Sequence, residues 1–164
     1  ETFPITEPLI GEDVGRILGL DGNAKMSKSL GNTVGILADP DNVWDKVRTA
    51  VTDPQRVRRD DPGRPEVCNV FALHRFFTEE NAREEIEAGC RSAELGCVDC
   101  KRILSGNIAT SFAPYRERAT HYREHPSEVR DVLDQGAEKA RKIASETMQE
   151  VRRKMGLNWR NAIP

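Results

Sequence analysis

Residues 126–155 read PSEVRDVLDQGAEKARKIASETMQEVRRKM and carry the pattern that decides the fold. Apolar residues recur there at intervals of three or four, the spacing that gathers them along one face of an α-helix. Ser127 is expected to cap this helix and Gly156 to end it. Many residues of the stripe are small, which predicts close packing against a neighbouring helix. The stripe comprises Val129, Val132, Leu133, Ala137, Ala140, Ile143, Ala144, Met148, Val151 and Met155.

Further helical patterns precede this segment. A long helix is expected to begin near Cys97, because apolar residues after it again step by three or four. Asp39 followed by Pro40 is typical of a helix start. The apolar pattern over 69–77 and the acidic turn after Thr78 predict two more helices, with Thr78 as the cap of the second. The chain is therefore predicted to be mainly α, with a helical bundle.

The first 37 residues have a different character. They are rich in Gly and hold short apolar runs such as Val14–Leu20, which is typical of a strand and turns at the edge of a sheet. Residues 53–66 contain three Pro among several Asp and Arg, which predicts a surface loop.

Composition limits the classes of function. The 164 residues suffice for one domain, and the formal net charge is −2. Positive charge is concentrated late in the chain, where residues 101–155 hold 12 Lys and Arg against 8 Asp and Glu. That excess suits a polyanionic partner and also suits a solvated helix face. No apolar run has the length of a membrane span and no leader pattern is present, so the expectation is a cytoplasmic protein without a membrane partner.

The segment Lys25-Met-Ser-Lys-Ser29 is the strongest pointer to chemistry. It places two ammonium groups and two hydroxyls on a short polar loop between glycines. Such a loop can close over a polyphosphate, because the charges and donors stabilise a leaving pyrophosphate. Taken without context, the same residues would also suit a solvated surface turn.

The surrounding sequence gives the loop a context. The runs Gly19–Thr33, Leu37–Pro40 and Val47–Pro54 resemble the class I aminoacyl-tRNA synthetases. The residues Thr52-Asp53-Pro54, which follow the helix predicted to begin at Asp39 and Pro40, narrow the resemblance to the tryptophanyl-tRNA synthetase family. It extends from about Glu1 to Leu157.

The resemblance implies roles for individual residues. Lys25 and Lys28 would be the catalytic residues that contact the ATP phosphates. Ser27 and Ser29 would assist, and Met26 would bring backbone to the adenine side. The implied substrates are ATP with Mg²⁺, L-tryptophan and tRNA(Trp), and the implied assembly is a homodimer.

The resemblance also implies a domain organisation. Residues 1–38 would be the carboxyl-terminal edge of a Rossmann-like nucleotide-binding domain, 39–157 a helical anticodon-binding domain, and 158–164 a tail. No His-Ile-Gly-His-like motif is present in the sequence. The chain therefore looks like the carboxyl-terminal half of such an enzyme, with the tryptophan pocket elsewhere and little activity expected from this piece alone.

Four cysteines form a second candidate site. Cys68, Cys90, Cys97 and Cys100 have the spacing C-x21-C-x6-C-x2-C. Disulfides are not expected in a reducing compartment, so metal ligation is favoured over four unliganded core thiols. The single C-x-x-C suits an iron–sulfur cluster better than zinc, although four thiolates can hold either. The resemblance implies a [4Fe-4S] cluster, as in a subset of the family, with Zn²⁺ as the alternative.

Basic residues near the cysteines are candidates for binding tRNA. Arg91, Lys101 and Arg102 lie beside them in sequence, and Arg56, Arg58, Arg59 and Arg64 lie on the preceding loop. His74 is expected to be a core or surface helical residue, and Trp44 and Trp159 to be packing anchors. Two alternatives remain at this point: a non-catalytic RNA-binding module with a structural metal site, and a redox-sensing iron–sulfur regulator.

Overall fold

Five α-helices make up most of the part of the protein that the structure describes. The computed structural model describes residues 2–10 and 16–157. The helices are α1 (Pro40–Val47), α2 (Asn69–Phe77), α3 (Glu80–Arg91), α4 (Cys97–Glu124) and α5 (Pro126–Lys154), with single 3-10 turns at Lys28–Leu30 and Pro65–Val67. The prediction of a mainly α fold is confirmed.

The predicted strand is much reduced. Within the described residues there is no strand, and the only β-type pairing is one antiparallel bridge between Leu18 and Lys25. Val14 and Gly15, at the start of the predicted strand, lie outside the described residues. The bridge nevertheless matters for the site, since it closes the loop that carries Lys25.

The chain divides into two compact units. One consists of Gly11–Ala119, and the other of Glu1–Ile10 with Thr120–Pro164. The boundary falls within α4. The domain limits predicted from the sequence, at residues 38 and 157, stay predictions.

The first unit has an apolar core. Val43 and Val47 of α1 are fully buried, and Leu104 of α4 and Val70 of α2 are fully buried with them. Burying aliphatic side chains of this size stabilises a fold by about 1.5–3 kcal/mol each. The remaining core residues are Leu20, Ala50, Cys68, Leu73, Ile86, Cys100 and Ile108. Two of the four cysteines therefore belong to this core.

Two helix starts differ from the predicted ones, and one agrees. Asp39 caps α1 as predicted, because its carboxylate accepts the Asn42 amide at 2.8 Å. Thr78 instead ends α2, where its amide donates to the carbonyl of His74. α5 begins with Pro126, whose fixed φ suits a first helical residue, so Ser127 lies inside the helix and does not cap it.

α5 ends as predicted but packs differently. Gly156 takes a φ of 70°, which is the left-handed conformation common just after a helix. The amide of Leu157 donates to the carbonyl of Arg152 at 2.8 Å and closes the last turn of α5. No residue of α5 is buried, so the predicted close packing of its apolar stripe was wrong for the described residues. Among those residues, no helix is both long and apolar enough to cross a membrane.

Candidate functional site

The lysine-rich loop presents its charges to solvent. Ser27 precedes a single 3-10 turn over Lys28–Leu30, and Gly31, with a φ of 67°, ends that turn. Lys25 and Lys28 are exposed, and neither ammonium group has an ion pair with any residue that the structure describes. Both positive charges therefore remain available to an anion.

Asn32 organises this loop from inside. Its Oδ1 accepts the amide of Ser27 at 2.8 Å, and its Nδ2 donates to Asp21 Oδ2 at 2.9 Å and to the carbonyl of Lys25 at 3.3 Å. The bond from Asn32 is the main cause that lowers the pKa of the Asp21 carboxyl. Asn32 is buried, with 7% of its surface exposed. One side chain therefore fixes the backbone at Lys25 and Ser27, in the first half of the candidate phosphate-binding segment.

Asn32 was missed in the sequence because its role depends on contacts between distant residues. Gly19 lies so close that a Cβ there would come within 2.0 Å of Asn32 Nδ2. Only glycine therefore fits opposite the amide. Gly19 and Asn32 are thirteen residues apart, and a contact at that separation produces no periodic pattern in the sequence. The Gly31-Asn32 dipeptide is the one local sign of a turn.

The loop is also tied to the helices of its unit. Asn69 at the start of α2 donates from Nδ2 to the carbonyl of Gly19 at 2.8 Å, and the amide of Val51 donates to the carbonyl of Leu20 at 2.9 Å. Met26 lines an apolar cavity of about 170 Å³ together with Leu20, Leu73, Phe77, Ile108 and other apolar residues. The base of the loop is thus held by the core while its lysines stay in solvent.

The four cysteines are drawn from three helices. Cys68 precedes α2, Cys90 lies in the last turn of α3, and Cys97 and Cys100 open α4. Burial, and then the neighbouring thiols of the other three cysteines, raise the pKa of Cys100 to about 12. Burial also raises the pKa of Cys90, and Cys68 and Cys97 add to that rise. The fold therefore brings Cys90 and Cys100 each within electrostatic reach of the other three thiols.

The spacing of the sulfurs bears on what they can hold. All four cysteines are free thiols, and no three of their sulfurs lie within 4.8 Å of one another in the part of the chain that the structure describes. A single zinc ion holds its thiolates closer, since a Zn–S bond of about 2.3 Å places tetrahedral sulfurs about 3.8 Å apart. A cubane binds each thiolate through a different iron and so separates them more widely.

Arg56 lies beside these thiols and has one buried donor without a partner among the described residues. Its Nη1 lies 3.7 Å from Cys90 Sγ, and its Nη2 donates to the carbonyl of Arg59 at 2.9 Å. Its Nε is buried and has no hydrogen-bond partner among the described residues. A Cβ on Gly63 would come within 2.4 Å of Cys90 Sγ. A buried donor without an acceptor is costly, so the donor set fits a sulfide-bearing group at this place.

His74 is a core residue, which settles the two options left open by the sequence. It is fully buried, with Nε2 3.4 Å from Cys100 Sγ and Nδ1 2.7 Å from Thr78 Oγ1. Burial lowers the pKa of His74 to about 4, so the ring is neutral near pH 7. Asn107 Nδ2 donates to the same Thr78 hydroxyl at 2.8 Å. The thiol of Cys100 thus faces a neutral, hydrogen-bonded imidazole.

The three basic residues beside the cysteines already have partners. Arg91 pairs with Glu87 at 2.8 Å and with Glu66 at 3.1 Å. Lys101 Nζ donates to the carbonyl of Arg48 at 2.9 Å. The guanidinium of Arg102 lies 4.4 Å from the centroid of Trp44. Trp44 therefore supports a surface cation, while Trp159 lies outside the described residues.

The arginines of the preceding loop differ from one another. Arg64 forms a two-pronged ion pair with Asp53, which is 4% exposed, and holds the pKa of that carboxyl well below its usual range. It is a structural residue. The other three arginines of the loop, Arg56, Arg58 and Arg59, line a cleft of about 310 Å³. The other lining residues are Thr52, Val57, Gly96, Cys97, Val98 and Asp99. The cleft places guanidinium groups next to a cysteine of the four.

Comparison with known proteins identifies the class. Residues 1–113 match the family described as tRNA synthetases class I (W and Y). Because the match covers more than half of the chain, the protein belongs to this family of class I tRNA synthetases.

Its relatives within the family are tryptophan enzymes. The chain is 47% identical to the tryptophan–tRNA ligase of Deinococcus radiodurans over 95% of the chain and 47% of that protein. It is 40% identical to the tryptophan–tRNA ligase of Thermotoga maritima over 96% of the chain and 48% of that protein. The chain thus spans about half the length of the curated relatives it matches.

A solved structure agrees with these relatives. Tryptophanyl-tRNA synthetase from Campylobacter jejuni, complexed with ADP and tryptophan, matches with a TM-score of 0.77 and 34% identity. The match covers 89% of this chain and 45% of that one.

Proposed function

We propose that this chain is part of a tryptophan–tRNA ligase, which activates tryptophan with ATP and attaches it to tRNA(Trp). The observation that carries the proposal is that the ammonium groups of Lys25 and Lys28 are exposed, and have no ion pair with any described residue, on a loop whose backbone Asn32 holds in shape. The tryptophan-specific relatives support the choice of amino acid. The tryptophan pocket lies outside this chain, and we place the protein in the cytoplasm as a homodimer.

The loop acts on the phosphates of ATP. In the activation step the carboxylate of tryptophan attacks the α-phosphate, and pyrophosphate leaves. Negative charge builds on the leaving oxygens, where Lys25 and Lys28 supply point charges and Ser27 and Ser29 supply hydroxyl donors. The Mg²⁺ that accompanies ATP neutralises part of the same charge. The resulting adenylate then passes its acyl group to tRNA.

Pyrophosphate exchange tests this assignment. In the protein that carries this chain, labelled pyrophosphate should enter ATP when tryptophan is present and not when tyrosine replaces it. Exchange supported by tyrosine would assign the protein to the other branch of the family. Binding of tRNA without any exchange would instead favour a non-catalytic RNA-binding module.

We also propose that Cys68, Cys90, Cys97 and Cys100 hold a [4Fe-4S] cluster. Two features support it: the charges of the neighbouring thiols act on Cys90 and Cys100, and the Nε of Arg56 is buried without a partner among the described residues. When bound, the cluster would supply a cross-link between α2, α3 and α4. Arg56 would donate toward Cys90, and His74 would donate from Nε2 to the thiolate of Cys100 while Thr78 donates to its Nδ1.

Anaerobic purification of the chain should give a brown protein with about 4 iron per chain. Cys100→Ser should lower both the iron content and the visible absorption, because a thiolate ligand is lost. Ser105→Ala removes a buried hydroxyl from the same helix and controls for disturbed packing of α4. A colourless protein whose zinc content falls by one ion per chain in Cys100→Ser would replace the cluster with the zinc alternative, and a protein whose cysteines hold no metal would leave four unliganded thiols.

The cleft beside Cys97 is proposed as the place where an anticodon base is read. Its guanidinium groups can stack on an unpaired base and contact the backbone phosphates. Arg58 lines it, and its guanidinium has no partner among the residues that the structure describes. Three other basic side chains already have partners within the fold: Arg91, Lys101 and Arg102. Their charges therefore add to the positive electrostatic potential around the tRNA more than they form direct contacts with it.

Arg58→Ala should weaken the binding of tRNA(Trp) by about tenfold, since one arginine contact contributes about 1–3 kcal/mol. Arg130→Ala on α5 removes the same charge from a residue that does not line the cleft, and it should change affinity much less. A filter-binding titration at fixed salt measures both. Equal losses in the two variants would show that only overall charge matters and would remove the cleft as a reading site.

A further inference from the structure

Three metal-ligating side chains come together where α4 ends and α5 begins. His121 lies in the last turn of α4, His125 precedes α5, and Glu128 lies in the first turn of α5. One ligand atom from each lies within 4.8 Å of the others. In the described part of the chain this is the only such group of three, and all three residues belong to the same compact unit.

The hydrogen bonds prepare these side chains for a cation. His125 Nδ1 lies 2.8 Å from the carbonyl of His121, and because a carbonyl only accepts, Nδ1 carries the proton. The neutral ring then has its lone pair on Nε2. A backbone carbonyl that fixes a histidine in this way is the usual partner of a metal-bound imidazole. The bond therefore selects the tautomer that a metal needs.

The other two side chains already face each other. His121 Nε2 lies 3.0 Å from Glu128 Oε2, and the rings of His121 and His125 stack with centroids 4.4 Å apart. All three residues are exposed, so packing does not account for their arrangement. They also lie beyond residues 1–113, the part of the chain matched to the synthetase family.

We propose that His121, His125 and Glu128 form a site for a divalent transition-metal ion of the zinc type. Two imidazole nitrogens and one carboxylate oxygen are a suitable ligand set for zinc, with water in the remaining position. Ligand atoms of one zinc ion lie about 3.3 Å apart, so the three side chains need only rotate inward, which exposure permits. The ion replaces the direct bond between His121 and Glu128.

Such an ion would fasten the turn between the two helices. Pro126 has no amide donor. Two backbone hydrogen bonds hold the turn: the amide of His125 donates to the carbonyl of His121, and the amide of Glu128 donates to the carbonyl of His125. A bridge from His121 to Glu128 spans this turn. The ion is thus a clamp between the last turn of α4 and the first turn of α5.

The three histidines of the chain allow a direct test by NMR, because His74 touches Cys100 and reports on the cysteine site. During titration of the chain with Zn²⁺, the ring resonances of His121 and His125 should shift together and saturate at one ion. Zinc taken up only by the thiols would shift His74 and leave the other two rings unchanged. That result would overturn the proposal.

A matched pair of variants identifies the carboxylate ligand. Glu128→Gln should weaken zinc binding at His121 and His125 by about tenfold or more, the scale on which metal sites respond to lost partners. Glu138→Gln makes the same charge change further along α5 and should leave the affinity unchanged. Circular dichroism verifies that both variants keep their helices. Equal affinities in the two variants would exclude the three-residue site.

Discussion

Replacing both Lys25 and Lys28 with alanine should slow tryptophan-dependent pyrophosphate exchange by about a thousandfold or more. Removing a single preorganised donor from a transition state costs about 10²–10³ in rate, and here two full charges are lost. Both ammonium groups are exposed and unpaired among the described residues, so the substitutions break no ion pair of the fold. The loss should therefore fall on catalysis and leave stability nearly unchanged.

The control for this variant is Lys46→Ala, which removes an exposed lysine from the end of α1. It should keep the exchange rate of the unmodified protein. Binding of tRNA(Trp) should be similar in all three proteins, because the role that we propose for the loop is to act on ATP. An exchange rate that survives loss of both loop lysines would contradict the role proposed for them.

Replacing Asn32 with alanine should produce the second large effect. The change leaves the half-buried amide of Ser27 without its partner, and an unsatisfied buried group costs about 1–3 kcal/mol. The carboxylate of Asp21 is exposed and exchanges its lost bond for one to water. The lysines would remain, but their backbone would no longer be fixed. Pyrophosphate exchange should fall by about thirtyfold, the rate equivalent of about 2 kcal/mol.

Amide hydrogen exchange distinguishes this effect from general unfolding. In Asn32→Ala, the amide of Ser27 should lose protection while the amides of α2 and α4 keep theirs. Asn42→Ala is the matched control, since Asn42 is exposed and its backbone amide, not its side chain, bonds to Asp39. Full activity in the Asn32 variant would show that the loop is shaped by its backbone alone.

The helices could be predicted because their signals are local. Asp39 and Pro40 define a helix start by their own chemistry, and Gly156 defines an end. Thr78 was placed on the wrong helix because a threonine between two helices suits either one, and contact with His74 decides. The packing of α5 could not be predicted, since a stripe of apolar residues does not say what covers it.

The candidate site was predictable in part for the same reason. The lysines and the four cysteines stand out by residue type and spacing. Asn32, Arg56 and His74 do not, because each acts through contacts with residues far away in sequence. Side chains that support a site are therefore found only in the folded chain, although they decide how the visible motif behaves.

The hydroxyls of Ser27 and Ser29 lie 2.9 Å apart and bond to each other. Only one of the two hydroxyls donates in this bond, so the other keeps a proton that it can donate to a phosphate oxygen. The phosphates of ATP are already anionic, so a hydroxyl that donates to one of them forms a charge-assisted bond, which is about twice as strong as a bond between neutral groups. The seryl pair thus keeps one hydroxyl proton ready for the phosphates that we propose as its ligand, and it uses the other within the loop.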